Sequence, residues 1–522
     1  MIVKGIIKKG EYFDSVTLMT VAKNIAALDD VSDAAIVMGT NENKSILASS
    51  VMLLDEFKNA SDTDLLIAIK AANEDIIKKT LSIVDEQLKK TREKKDDSSD
   101  FSPKSLEGAV KNLPEANIEI ISIAGRYAGD EAMKAIDNNL HVMLFSDNIP
   151  IEKERELKLK AQEKGLLVMG PDCGTAIING IPLAFSNAVN RGDIGLVAAS
   201  GTGLQEVISI ISNEGGGISQ AIGTGGRDVK KEIGGIMFIE GIKALIDDPA
   251  TKVIVLVSKP PHKDVLKKIA DTIKGINKPV VSIFLGGDPA TMTDAGAYTA
   301  DTLEQAALYA VALSKDNDIN DCNVKIDQRN NELIQIAGEK VKLLKNNQKY
   351  LRGLFSGGTF CEEAQHLMKD SVGYVYSNSP LSDDFLLKDS WKSIKNTIVD
   401  LGGDEFTVGR PHPMIDFSLR NRRIIEEAKD PETAVILLDV VLGYGSNMTP
   451  AEELVPVIAE ANSIAKKDNR DIIFVASVTG TEHDPQNRRY VTEELSKLDV
   501  VVMPSNAAAS LLTSNIIKEI RG

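Results

Sequence analysis

One stretch constrains the fold more than any other: Ile194-Gly195-Leu196-Val197-Ala198-Ala199-Ser200-Gly201-Thr202-Gly203-Leu204-Gln205-Glu206. The residues from Ile194 to Ala198 are apolar or small and predict a buried parallel strand. Ser200-Gly201-Thr202-Gly203 interrupts the run. Leu204, Val207, Ile208 and Ile211 then recur at i, i+3, i+4 and i+7, the apolar face of a helix. A Gly-rich turn between strand and helix offers unpaired N–H groups and the positive end of a helix dipole, which suits a phosphate or carboxylate. Tight βα turns that bind nothing look alike, and this stretch alone leaves both readings open.

The same alternation recurs along the chain. Strands are predicted at Ile118–Ala124, Leu140–Phe145 and Leu166–Met169, the last ending in Gly170-Pro171-Asp172-Cys173-Gly174-Thr175. After the opening stretch come Ile218–Ile222 with Gly223-Thr224-Gly225-Gly226-Arg227-Asp228, Lys252–Val257 with Ser258-Lys259-Pro260-Pro261-His262, and Val280–Leu285 with Gly286-Gly287-Asp288-Pro289. Met292-Thr293-Asp294-Ala295-Gly296-Ala297 follows. Tyr350–Phe355, Ser356-Gly357-Gly358-Thr359 and a helix over Phe360–Met368 repeat the pattern, as does Ala434–Leu442 before Gly443-Tyr444-Gly445-Ser446-Asn447. Short connections between alternating strands and helices imply doubly wound, mostly parallel sheets, with ligands beyond the carboxyl ends of the strands.

Four domains are expected: a small α+β unit over 1–100, then 104–191, 192–345 and 346–522. Residues 89–103 (KKTREKKDDSSDFSP) predict a solvated linker, and the polar, helical stretch 315–348 marks a boundary. Aromatics are only 4% while Gly numbers 39, in keeping with α/β layers built from Val, Ile, Leu and Ala. A net charge of −16 argues against nucleic acid and anionic membrane as main partners, but not against a small anion held locally. Cys173, Cys322 and Cys361 are too few for a disulfide framework, and no His/Cys cluster has zinc spacing. With no signal peptide or spanning run, a cytoplasmic location is expected.

At this point the loops match a family. Gly170-Pro171-Asp172-Cys173-Gly174, then Gly195-Leu196-Val197 with Ser200-Gly201-Thr202, then Met292-Thr293-Asp294-Ala295-Gly296-Ala297, resemble in order the α subunit of succinyl-CoA synthetase. Residues from about 350 resemble the carboxyl-terminal domain of that enzyme's β subunit, Leu438–Asn447 matching its phosphate-facing loop, without the ATP-grasp part. With residues 221–228 (AIGTGGRD) and 409–416 (GRPHPMID), the fused arrangement looks like the FdrA family of acyl-CoA synthetase-like proteins. The resemblance covers residues 110–522. It implies an α/β fold: a Rossmann-like CoA-binding-type domain at 104–191, then two flavodoxin-like succinyl-CoA synthetase domains, behind the small amino-terminal unit. Three departures stand out. Asp294 occupies the place of the ligase's phosphorylated His, Lys259 that of the Glu which holds it, and no amino-terminal glycine fingerprint for CoA is visible.

The resemblance further implies two helix starts aimed at one phosphate, Ser200, Gly201, Thr202 and Gly203 with Gly443, Gly445, Ser446 and Asn447. Arg227 is a candidate carboxylate clamp, His412 a candidate orienting or protonating group between two prolines, and Asp294 a candidate polar site residue. Gly225, Gly226 and Lys259 are candidate substrate contacts, and no metal is expected. Against these stand a surface ion pair for Arg227 and a surface histidine for His412; Cys173 reads as buried packing, Asp404 as a turn residue. The implied activity is carbamoyl transfer between phosphate and oxamate, in allantoin and purine degradation, with carbamoyl phosphate as substrate and other subunits required. The alternatives are an ATP-dependent acyl-CoA synthetase using CoA with a separate nucleotide-binding subunit, and a non-catalytic scaffold. An anionic small-molecule ligand and an oligomer are expected.

Overall fold

The computed structural model describes every residue except 1, 12, 14, 27, 29, 41, 42, 45, 46, 49–51, 97–102, 104, 408–410 and 522. Gly409, Arg410 and the middle of the 89–103 linker thus lie outside the described residues. Two units are present, one of residues 1–109 with 404–412, the other of 110–403 with 413–522.

In the first unit, β1 (Ile2–Lys8), α1 (Ser15–Ala26), β2 (Val31–Met38), β3 (Leu65–Ala71) and α2 (Glu74–Asp96) form an antiparallel sheet of order β1-β3-β2 backed by both helices. β3 is buried on both faces, since Leu47, Met52 and Phe57 cover the side away from the helices. α2 runs on past Lys89, into the stretch expected to be a linker. Charged residues at helical spacing favour this, as in the Glu86–Lys90 pair at 2.7 Å.

After α3 (Leu106–Asn112), which runs across the boundary between the units, the second unit contains β4 (Ile118–Ile121), α4 (Gly125–Asp137), β5 (His141–Leu144), α5 (Ile151–Glu163) and β6 (Val168–Met169), whose strands pair in parallel in the order β4-β5-β6. A hairpin of β7 (Thr175–Ile178) and β8 (Ile181–Ala184) follows. It lies in the next sheet, antiparallel to that sheet's strand Ile218–Gly223. Its Asn179-Gly180 turn, with φ of 52° and 81°, is the usual two-residue hairpin signal.

That next sheet contains β9 (Arg191–Ala198), α6 (Gly201–Asn213), β10 (Ile218–Gly223), α7 (Ile236–Asp247), β11 (Val253–Ser258), α8 (Lys263–Ile273), β12 (Val280–Phe284), α9 (Ala290–Asp294), β13 (Tyr298–Thr299) and α10 (Leu303–Ser314). Its strand order is β13-β12-β11-β9-β10-β7-β8. α11 (Ile319–Val341) fills the stretch expected at a boundary and buries Leu333 and Ala337 in the core.

β14 (Tyr350–Phe355), α12 (Gly358–Met368), β15 (Thr397–Asp400), α13 (Asp404–Thr407, in the first unit), α14 (Ser418–Lys429), β16 (Thr433–Val441), α15 (Pro450–Lys467), β17 (Ile473–Thr479), α16 (Arg488–Ser496), β18 (Val501–Met503) and α17 (Asn506–Arg521) complete the chain. This last sheet is wholly parallel, of order β15-β14-β16-β17-β18. β16 is buried over all its length, as its run of Val, Ile and Leu requires of a central parallel strand. One continuous apolar core joins the seven- and five-stranded sheets, from Leu196 and Leu204 to Phe360, Leu437 and Leu512. No helix of the described residues is long and apolar enough to cross a membrane.

Candidate functional site

The carboxyl ends of the two large sheets meet. Ser200 ends β9 in extended geometry, and its Oγ accepts the N–H of Gly203 at 3.0 Å, capping α6. The same Oγ lies 2.6 Å from Oγ1 of Thr359, in the first turn of α12. The two helix starts approach so closely that a β-carbon on Gly357 would fall 2.9 Å from the Thr202 side chain. The N–H groups of Gly201, Thr202, Gly358 and Thr359 have no acceptor among the described residues. Two positive helix ends and four free donors therefore converge on one spot.

A buried carboxylate builds the second helix start. Asp439, fully enclosed on β16, accepts the N–H groups of Ser356 (2.8 Å) and Gly357 (3.0 Å) and the Ser356 hydroxyl (2.9 Å). Arg420, equally buried and stacked on Phe417, pairs with it at 3.2 Å. Desolvation raises the Asp439 carboxyl, and Arg420 and the Ser356 donors oppose that rise.

Lys259, at the end of β11, pairs with Glu362 on α12. Desolvation pulls its ammonium down, but Glu362 outweighs this and holds it above the ordinary lysine value. It therefore stays charged at the cleft. Asp400, ending β15, lies against Gly358 at the start of α12.

The other expected residues divide. The loop 443–447 runs beside α6 one turn further on, where Gln205 Nε2 reaches the Leu442 carbonyl at 3.5 Å. It is not a helix start, because α15 begins only at Pro450. Its N–H groups are largely taken: Gly443 donates to Gln486, Tyr444 to Ser186 and Asn447 to Met414. The hydroxyls of Ser446 and Ser186 are buried there without partners among the described residues. The helix start that faces Ser200 is instead that of α12.

Arg227 is engaged by the protein itself, its Nε on Glu154 at 2.9 Å and its NH2 on the Ile149 carbonyl at 2.9 Å. Glu154 and Asp228 also hold the fully buried Lys158, each at 2.8 Å. Gly225 packs on the Pro171 carbonyl, and Gly226 lies near Ala199 at the sheet's carboxyl edge. Asp294 is exposed on the short α9. His412 belongs to the first unit, and desolvation pushes its imidazole down to about 4, so it is neutral at pH 7. Burial pushes the Cys173 thiol up to about 12, which removes it as a nucleophile. Asp484, beside His483, straps the sheets together by accepting from Ala188 and Asn187 at 2.7 and 2.9 Å.

Thr359, Glu362, His366 and Asp400 were not singled out from sequence, although Ser356-Gly357-Gly358-Thr359 visibly parallels Ser200-Gly201-Thr202. A shallow depression of about 550 Å³ lies at the opposite, amino edge of the seven-stranded sheet, lined by Asn190, Arg191 and Gly215 among others. Its Asp193 is already engaged by Lys252 at 2.8 Å and Ser314 at 2.6 Å.

Three family models match the chain: CoA-ligase over residues 354–516, CoA binding domain over 189–286, and AllF, heavy metal-associated domain over 1–103. The uncharacterized protein YahF of Escherichia coli K12 is 42% identical over 521 residues, 99% of either chain. The chain belongs to the YahF family. This YahF-family chain is also similar to the subunit alpha 2 of ADP-forming succinate–CoA ligase from Archaeoglobus fulgidus, 28% identical over 35% of this chain and 63% of that one. The corresponding alpha subunit from Staphylococcus epidermidis is 29% identical over 41% and 70%. Among solved structures, a dinucleotide-forming acetyl-coenzyme A synthetase 1 from Ca. Korarchaeum cryptofilum matches at 16% identity and a TM-score of 0.34, covering 78% of this chain and 83% of that one.

The family models and the alpha-subunit relatives make residues 189–286 and 354–516 of the YahF-family chain similar to CoA ligases and to succinate–CoA ligase. None of the relatives just named carries the FdrA name or carbamoyl transfer in its own. The CoA-binding match falls on β9–β12 and not on 104–191. Residues 1–103, where the heavy-metal match falls, contain neither Cys nor His. Among the described residues no group of three or more His, Cys, Asp or Glu could hold a metal ion.

Proposed function

We propose that the chain transfers an acyl group between phosphate and the thiol of coenzyme A, as the acyl-handling half of an acid–thiol ligase whose nucleotide site resides on a separate subunit. The observation that carries this reading is the junction of α6 and α12 at Ser200 and Thr359, where four unpaired N–H groups converge. An acyl phosphate would set its phosphate there. The thiol sulfur attacks the acyl carbon, the C–O bond to phosphate breaks, and the departing dianion is met by preorganised donors. Lys259, ion-paired with Glu362, stands at the same edge. The CoA-ligase and CoA-binding matches support the thiol as acceptor.

Phosphoryl hand-off through an imidazole has no counterpart at Asp294, an exposed carboxylate. In this reading the chain's own chemistry stops at the acyl phosphate. Carbamoyl phosphate is also an acyl phosphate, so transfer to oxamate uses the same cleft and is the second reading. Asp294 and Lys259 are compatible with both readings, because neither transfer needs a phosphohistidine.

The test is turnover by the purified chain, with and without its partners. Acetyl, succinyl or carbamoyl phosphate is mixed with CoA or oxamate, and phosphate release and product are followed. Thioester formation supports the first reading. Carbamoylated oxamate without thioester supports the second. Neither turnover nor calorimetric binding of any acyl phosphate leaves a scaffold.

A further inference from the structure

α12 crosses the carboxyl edge of the opposite sheet with one residue per strand. Thr359 meets Ser200 after β9, Glu362 meets Lys259 after β11, and His366 lies over Gly286 after β12. β9, β11 and β12 are neighbours in that order. Steps of three and four residues advance a helix by about 4.5 and 6 Å, close to the roughly 4.8 Å between strands. The row is thus a matched face, at i, i+3 and i+7 of one helix.

His366 is the least explained member of the row. A β-carbon on Gly286, where φ is 71°, would fall 2.1 Å from its Cε1, so the ring occupies space that only glycine leaves. Neither ring nitrogen has a hydrogen-bond partner among the described residues, and Nε2 stands 4.0 Å from Glu362 Oε1. The side chain is 30% exposed, so one edge of the ring remains open.

We propose that His366 is the proton-transfer residue of this cleft, with Glu362 as its positioning residue. The proposal rests on the acyl-transfer reading. As the nucleophile's bond to the acyl carbon forms and the C–O bond to phosphate breaks, a ring nitrogen takes the nucleophile's proton and later returns it to solvent. Desolvation lowers the ring's affinity for a proton; Glu362 opposes this, and Lys369 and Lys259 reinforce it. The imidazole is then neutral at pH 7 and able to accept.

Two measurements separate this proposal from the reading it rests on. In the full chain, NMR titration of the five histidines, with His366→Asn to assign its signal, gives a His366 midpoint below the ordinary histidine value. Saturating inorganic phosphate raises that midpoint, because a nearby anion favours the imidazolium. A His366 signal that ignores phosphate while phosphate binds elsewhere overturns the proposal, and so does a chain that binds no phosphate. In turnover, His366→Gln lowers kcat about 100-fold with little change in KM and removes the acid limb of the pH profile. Full activity with an unchanged profile in both variants rejects His366 and leaves the acyl-transfer reading standing.

Discussion

Asp439 shows how one side chain fixes the candidate site without touching a ligand. It gathers two N–H groups and a hydroxyl from the turn before α12 and pairs with a buried Arg420. Asp439→Asn leaves that guanidinium enclosed without its counter-charge and replaces one acceptor oxygen by a donor. The expected loss is about 3–5 kcal/mol of unfolding free energy, read from urea denaturation. Lys259 would be classed from sequence as a departure from the ligase pattern. In the fold its charge is kept by Glu362, a residue 103 positions away, and no local signal links the two.

Elements explain what the sequence made visible and what it hid. The strand–turn–helix at 194–211 was legible because a buried parallel strand must be continuously apolar and a tight turn needs small residues. The second helix start was displaced in the expectation, from α12 to the 443–447 loop, because glycine-bearing turns after apolar strands look alike until their N–H groups are accounted for. The β7–β8 hairpin was absent from the expectation, although its turn is an Asn-Gly pair. His366 carried none, since its partner Gly286 comes from another sheet. At the α6–α12 junction, Thr359→Val keeps the shape and removes the hydroxyl that meets Ser200. The expected outcome is a stability loss of about 1 kcal/mol and phosphate affinity about tenfold weaker, measured by calorimetry. Unchanged affinity would separate the hydroxyl pair from anion binding.

Across the whole molecule, the two large sheets are joined by carboxylates as well as by their core. Glu206 on α6 accepts from Thr479 (2.5 Å) and from the Asn506 N–H (2.8 Å), while Glu363 on α12 accepts from the Leu303 N–H and the Asn506 amide, both at 2.8 Å. Burial pushes Glu363 up from 4.5 to about 7, against the pull of its donors. A raised carboxyl favours the folded state fully below 4.5, and this advantage fades as pH climbs through about 7. The contribution is of order 3 kcal/mol. Glu363→Gln should therefore flatten the pH dependence of the melting temperature between pH 4.5 and 7. An identical slope in the variant would remove Glu363 as its cause. The row along α12 has a mechanical corollary. Because its three teeth fall at the strand spacing, the halves cannot glide sideways by less than a full notch without disengaging all three together. Any separation along this row would release all three teeth in the same stroke.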